Sequence, residues 1–283
     1  LKKGIFFLGP EVEKLEKNLS DFLKVKHVVC LSSGSSALYL SLKAAGIKEG
    51  DEVITSPLSW IITVNAIVEC GANPVFADID ENLNICPNSI ERMITKKTKA
   101  IIPMHYGGKM CKMNEIVSIG KKNDIIVIED AAQSFGSSLN KKMSGTFSKV
   151  AAFSLNPMKP LGGLGEGGFC VTNNLIIYQK LKKFRYAGTK SNPIKKLISN
   201  DIDEPSLNHK MSSLNAIFLI KQLKRFKKEM MKRNNIAEYY VKNIKNVTHI
   251  NLPYNETNGR YIFTFKTKNR NRLINFLQEN NIE

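Results

Sequence analysis

The chain has 283 residues, 42% hydrophobic and 24% charged, enough to bury a sizeable core, and no apolar run approaches the roughly 18–20 residues of a membrane span. Net charge is +17 and uneven: residues 1–150 carry 19 Lys/Arg against 16 Asp/Glu, residues 151–283 carry 23 against 9, a field that draws in polyanions from phosphorylated small molecules to nucleic acid. Five cysteines (Cys30, Cys70, Cys86, Cys111, Cys170) without CxxC spacing and four histidines without metal-ligand spacing argue against a disulfide scaffold or a zinc site and fit a reducing cytoplasm.

The start, LKKGIFFLGPEVEKLEK, shows no signal-peptide core or cleavage site. Pro10 opens a helix with Val12, Leu15, Leu19, Phe22 and Leu23 at helical spacing. A strand over 27–31 then runs into Ser32-Ser33-Gly34-Ser35-Ser36, and a helix closed by Gly46 follows. The same order recurs. Strands are expected at 53–55, 74–77, 100–103 and 125–128, with helices at 59–70, 87–94 and 113–122 between them. Continuous apolar strands alternating with helices predict an α/β fold with a mostly parallel sheet covered on both faces, where ligands bind beyond the carboxyl ends of the strands. Further strands are expected at 150–153 and 169–172, then a helix to about 185, a loop over 186–208 with Gly188, Pro193 and Pro205, and a long basic helix over 212–241. Residues 247–283 read strand, strand, helix, the start of a small α+β domain.

The chemistry centres on Ser154–Gly168, SLNPMKPLGGLGEGG. It places Lys159 between Pro157 and Pro160, followed by five glycines. A lysine in a proline-bounded turn beside closely approachable backbone suits a Schiff-base nucleophile; a glycine-rich surface loop with a solvated lysine is the plainer alternative. The turn holding Gly34, Ser35 and Ser36 offers N–H groups and hydroxyls at a helix N-terminus, where the dipole favours phosphate. Asp130 ends a buried strand, where an acid can keep a pyridinium nitrogen protonated; alternatively it caps a helix starting at Ala131. Gln133, three residues on, reaches the same ring. Trp60, the single tryptophan, stacks on a flat cofactor or is core. Ser154 offers a second phosphate hydroxyl. Jointly these residues describe a pyridoxal phosphate site.

The sequence resembles the DegT–DnrJ–StrS family of sugar-nucleotide aminotransferases. The pieces that carry the likeness are SSGSSAL at 32–38, GDEVIT at 50–55, ANPVFADID at 72–80, KAIIPMHYGG at 99–108, IEDAAQSFG at 128–136, FSLNPMKPLGGLGEGG at 153–168 and LNHKMSSLNA at 207–216. The resemblance implies the type I aminotransferase fold, with a large cofactor-binding domain over residues 1–208, and a long helix and small C-terminal α+β domain, here incomplete, over 209–283. It implies that Lys159 binds the cofactor aldehyde and shuttles a proton, that Asp130 pairs with the pyridine nitrogen and Gln133 with the ring hydroxyl, and that Trp60 stacks. Gly34, Ser35, Ser36 and Ser154 would hold the phosphate. Asn208 would reach the phosphate of a partner subunit, making a homodimer with shared active sites. Ser206-Leu207 and Lys210 depart from the Gly-Tyr and arginine usual there. The short ends relative to family members point to a partial chain.

The expected activity is amino transfer from an amino acid, glutamate by resemblance, to a nucleotide-linked keto sugar in amino-sugar or polysaccharide biosynthesis. A pyridoxamine-dependent sugar dehydratase is the alternative, weakened because those relatives carry histidine where Lys159 stands. A basic nucleic-acid-binding protein ranks lower, since the 221–233 run holds only Phe226 among its basic residues.

Overall fold

The computed structural model describes residues 4–189, 201–202, 204–250 and 260–282. Part of the loop expected over 186–208, including Pro193, therefore lies outside the described residues.

The chain order is α1 (Pro10–Leu23), β1 (His27–Leu31), α2 (Gly34–Ala45), β2 (Glu52–Thr55), α3 (Ile61–Glu69), β3 (Asn73–Phe76), α4 (Pro87–Met93), β4 (Thr98–Ile102), α5 (Met113–Lys122) and β5 (Ile126–Asp130). A two-stranded ribbon follows, β6 (Ser138–Leu139) with β7 (Lys142–Met143), and then β8 (Val150–Ser154), β9 (Gly168–Thr172), α6 (Leu175–Arg185) and α7 (Ser213–Asn243). The chain closes with β10 (Thr248–Ile250), β11 (Thr264–Lys266) and α8 (Arg270–Glu279). Seven strands form one sheet in the order β1-β9-β8-β5-β4-β2-β3. β3, β2, β4, β5 and β8 run parallel, while β9 is antiparallel to both its neighbours. The mostly parallel sheet expected from the apolar strand runs is present.

Side chains alternate across each strand, so successive residues feed different cores. Val53, Ile102, Ile128, Val150 and Ala152 pack with Leu38, Leu42 and Ile67 under α2, α3 and α6. Ile54, Ile101 and Val127 pack instead with Ile90, Met113 and Ile116 of α4 and α5. Ala151, Phe153, Phe169 and Val171 join Val12, Leu15 and Leu19 of α1 and Ala216, Leu219 and Phe226 of α7. There Phe153 and Phe169 stack at 4.5 Å, and Phe135 meets both edge-on. At roughly 25 cal/mol per Å² of apolar surface, each such ring contributes a few kcal/mol. Alternation therefore decides the site: Asp130 and Ser154 fall on the α2–α3 face, Glu129 on the face of α4 and α5.

The C-terminal part is built differently. β10 and β11 pair antiparallel, and α8 has no fully buried residue. α7 joins this part to the sheet: Ala216, Leu219 and Phe226 lie in the second core, whereas Met231, Ile236 and Tyr239 are exposed.

Candidate active site

Four chain segments meet at one edge of the sheet. Asp130 ends β5, Ser154 ends β8, and Gly168 begins β9 directly opposite both Ser154 and Leu31 of β1. Leu31 leads at once into the N-terminus of α2. Ser33 caps that helix, its hydroxyl oxygen accepting the Ser36 N–H at 3.0 Å. Backbone and β8 approach closely here: a Cβ on Gly34 would lie 2.7 Å from Ser154 Cβ, and one on Gly168 would lie 2.2 Å from the Ser33 carbonyl oxygen. Glycine at these two positions is what lets helix, strand end and loop converge.

The convergence leaves a shallow cradle lined by the first N–H groups of α2, the exposed Ser35 and the Ser154 hydroxyl. Ser36 is arranged otherwise. Its buried hydroxyl lies 3.0 Å from those of Ser32 and Ser33 and 2.9 Å from His209 Nδ1, and its N–H is held by the cap. Ser36 thus braces the cradle from behind.

The Asp130 carboxylate is fully buried, with one oxygen accepting the Thr63 hydroxyl at 2.8 Å and the other the Ala132 N–H at 3.1 Å. The second contact closes a tight turn; no helix begins at Ala131, so the helix-cap alternative for Asp130 gives way to a turn. Thr63 is itself fixed by Ser59, whose oxygen lies 2.6 Å away, and its N–H reaches the Trp60 carbonyl at 3.0 Å. Burial pushes the Asp130 carboxyl above its ordinary range; the Ala132 N–H, the Thr63 hydroxyl and the Lys159 charge offset only part of this. A carboxylate in that state is stabilised by a cationic N–H donor brought to it.

Trp60 sits at the N-cap of α3, one turn before Thr63, with 70% of its surface exposed. It is not core. Gln133 Oε1 accepts the Gly107 N–H at 2.7 Å, fixing the amide beside the 105–109 loop. Lys159 follows a turn closed by its own N–H to the Asn156 carbonyl at 2.9 Å, with Pro157 at the position that favours such turns. The loop beyond is clamped to α7, because Asn215 Oδ1 accepts the Leu164 N–H and Asn215 Nδ2 donates to the Glu166 carbonyl, each at 2.9 Å. Asn208 is exposed and bridges Tyr186 through its backbone, while its neighbour His209 reaches Ser36 behind the cradle.

Several residues that matter here lie inside or beside the family-like pieces but were given no role from the sequence. Glu129, beside Asp130, is enclosed on the opposite face: it accepts N–H groups of Gly145, Phe147 and Ser148, the Ser148 hydroxyl, and His105 Nε2 at 3.2 Å. Burial alone would raise its carboxyl, but His105, Gly145 and Ser148 outweigh that and hold it below the ordinary range. His105 Nδ1 accepts the Cys111 N–H at 3.2 Å, which puts the ring proton on Nε2, facing Glu129. Thr63, His105, Asn215 and His209 are far from Asp130 and Lys159 in sequence. His105, His209 and Asn215 fall inside the pieces KAIIPMHYGG and LNHKMSSLNA, which is the signal that could have found them, whereas Thr63 lies outside every such piece. A separate open cavity of about 650 Å³ lies at the amino ends of β2, β4, β5 and β8, lined by Lys48, Lys99, Lys121 and Lys149; it is at the wrong end of the sheet for this chemistry.

What the site asks of a ligand is specific: an anionic tail for the helix N-terminus, a protonated ring nitrogen for Asp130 and a carbonyl that a lysine can capture. Pyridoxal 5′-phosphate offers all three, and it is the cofactor of the type I aminotransferase fold that this chain adopts. More narrowly, the chain belongs to the DegT/DnrJ/EryC1/StrS aminotransferase family, whose profile matches residues 1–283. It is 36% identical over 267 residues to the spore coat polysaccharide biosynthesis protein SpsC of Bacillus subtilis, covering 92% of this chain and 68% of that one. It is 33% identical over 288 residues to a GDP-perosamine synthase of Vibrio cholerae, covering 97% and 76%. Among solved structures, DesV of S. venezuelae in complex with a ketimine intermediate superposes with a TM-score of 0.93 at 27% identity, over 100% of this chain and 75% of that one.

Proposed function

We propose that this protein moves an amino group from an amino acid, with glutamate as the donor, to a nucleotide-linked keto sugar for amino-sugar or surface-polysaccharide biosynthesis. The observation that carries the reading is a buried Asp130 at the carboxyl end of the sheet with Lys159 close enough for its charge to lower the carboxyl. When bound, pyridoxal phosphate supplies the electron sink that makes the α-hydrogen of an amino acid acidic.

The chain's own residues then divide the work. The N–H groups of Gly34 and Ser35 and the hydroxyls of Ser35 and Ser154 take the phosphate, with Ser36 bracing them. Asp130 holds a proton on the ring nitrogen, Gln133 addresses the ring hydroxyl and Trp60 covers one ring face. Lys159 Nζ would hold the cofactor through its aldehyde and would take and return the proton at the reacting carbon. The basic second half of the chain attracts the diphosphate of the sugar nucleotide.

We further read the protein as a homodimer with shared sites, Asn208 reaching the partner's phosphate cradle. Phe6, Phe7, Leu164, Leu207 and Leu214 are all exposed, and segment 6–8 is hydrogen-bonded to 211–213, which groups apolar surface beside the site. The domain division falls at 208/209. No helix among the described residues is long and apolar enough to cross a membrane, and all five cysteines are free, which supports a reducing, cytoplasmic setting.

Two measurements test the reading. The purified protein should show visible absorbance from lysine-bound cofactor, lost on borohydride treatment and absent in Lys159→Ala. A panel of keto-sugar nucleotides with glutamate should then yield a product whose mass reports gain of an amine. A product that has instead lost a hydroxyl identifies a dehydratase, and failure of the folded, full-length protein to bind the cofactor overturns the reading.

A further inference from the structure

Tyr261 belongs to no motif, yet its ring lies against the reactive amine: Lys159 Nζ is 4.2 Å from the ring centroid. An ammonium within about 6 Å of an aromatic face is attracted by the ring quadrupole. The placement is held from two sides. The Tyr261 N–H donates to the Gly107 carbonyl at 3.2 Å, and Gly107 in turn donates to Gln133 Oε1. The preceding residue, Arg260, has φ of 43°, a left-handed conformation that a non-glycine residue keeps only where its surroundings enforce it. Here α7 enforces it: the Arg233 guanidinium donates to the Arg260 carbonyl at 3.0 Å, and Arg260 Nε donates to Asn234 Oδ1 at 3.3 Å. The C-terminal part therefore enters the site through one aromatic face, anchored on the same loop that fixes Gln133.

We propose that Tyr261 is a positioning residue for Lys159, its ring face holding the ammonium form in which the lysine carries its proton. The proposal rests on the reading of Lys159 as proton carrier. The lysine gains one proton and returns the same one, so no other acid or base is consumed. The ring also keeps the freed side chain over the reaction site, where a long flexible lysine would otherwise sample many rotamers.

The test uses cofactor-free protein and acetic anhydride, which acylates only neutral amines, with labelling of Lys159 followed by peptide mass spectrometry against exposed Lys17. At neutral pH, Tyr261→Leu should label Lys159 roughly threefold to tenfold faster than the parent, while Tyr261→Phe, which keeps the ring, should match the parent. In alkali, where the amine is neutral in every variant, all three should label alike. Equal labelling of Tyr261→Leu at neutral pH overturns the proposal. Acceleration that persists in alkali also does so, because it reports simple uncovering of the lysine. A Tyr261→Phe variant behaving like Tyr261→Leu assigns the effect to the hydroxyl and overturns the ring's role. Any of these results in a parent protein that still binds cofactor reducibly leaves the transaminase reading standing; loss of reducible binding in the parent strikes that reading alone.

Discussion

Glu129 and Asp130 are neighbours at the end of one strand, yet they look into two regions built on opposite plans. On the α4–α5 side, Glu129 is enclosed by His105, three backbone N–H groups and a serine hydroxyl, and its carboxyl is held below the ordinary range. On the α2–α3 side, Asp130 has two hydrogen bonds and a carboxyl raised by burial. The first region ties its carboxylate into the fold through five contacts; the second leaves its carboxylate with two, which suits the cofactor role proposed for it. Two carboxylates one residue apart are given different surroundings by the period-two alternation of a strand, one fully hydrogen-bonded within the fold and one facing the proposed cofactor site.

The sharpest way to isolate the functional side is Lys159→Ala. Amino transfer should fall by roughly ten-thousandfold, measured as product formed under saturating donor and acceptor. Thermal unfolding of the cofactor-free variant should stay close to that of the parent, since the side chain is only partly buried.

Asp130→Asn and Glu129→Gln should separate the two regions. The first should lower turnover roughly a hundredfold while leaving cofactor-free stability at neutral pH unchanged or raised, because an uncompensated buried charge is removed. The second should cost about 3 kcal/mol of stability in denaturant titrations, because donors converging on a carboxylate then face a neutral amide. Equal destabilisation by both would break the comparison. Their pH dependences should also run in opposite senses. Glu129 has a depressed folded-state value, so its contribution is present above the ordinary glutamate range and is lost as pH falls through that folded value. Asp130 has a raised one, so its ionisation costs stability as pH rises through its folded value, and the cost vanishes below the ordinary aspartate range.

Gly34→Ala should lower cofactor affinity about tenfold by fluorescence titration, since the new methyl meets Ser154 and must push the cradle open. The smallest effect belongs to Trp60→Ala. Affinity should drop several-fold from lost stacking, with no change in melting temperature, because the exposed ring holds up no core.

Much of the site was legible because its residues lie at strand ends or in short motifs, where local spacing implies position. Asp130 and Ser154 end their strands as the apolar runs predict, and SSGSS opens α2 with Ser33 as its cap. The turn after Asp130 was read alternatively as a helix start; its N–H groups instead close on Asp130, Ala152 and Ala131. The SSGSS spacing implies a phosphate role for Ser36, whose side chain in fact turns to His209, 173 positions away.

By itself, then, the sequence determined the parallel α/β layering and the position of the lysine, the acid and the helix N-terminus, because apolar periodicity and glycine placement act over a few residues. Only the tertiary structure decided how many partners each carboxylate of the Glu129–Asp130 pair has, and that Thr63, His105, Asn215 and Tyr261 come to lie beside Asp130, Glu129, the glycine loop and Lys159. Those roles follow from burial and hydrogen bonds between segments distant in the chain, and no local pattern encodes which segment will arrive.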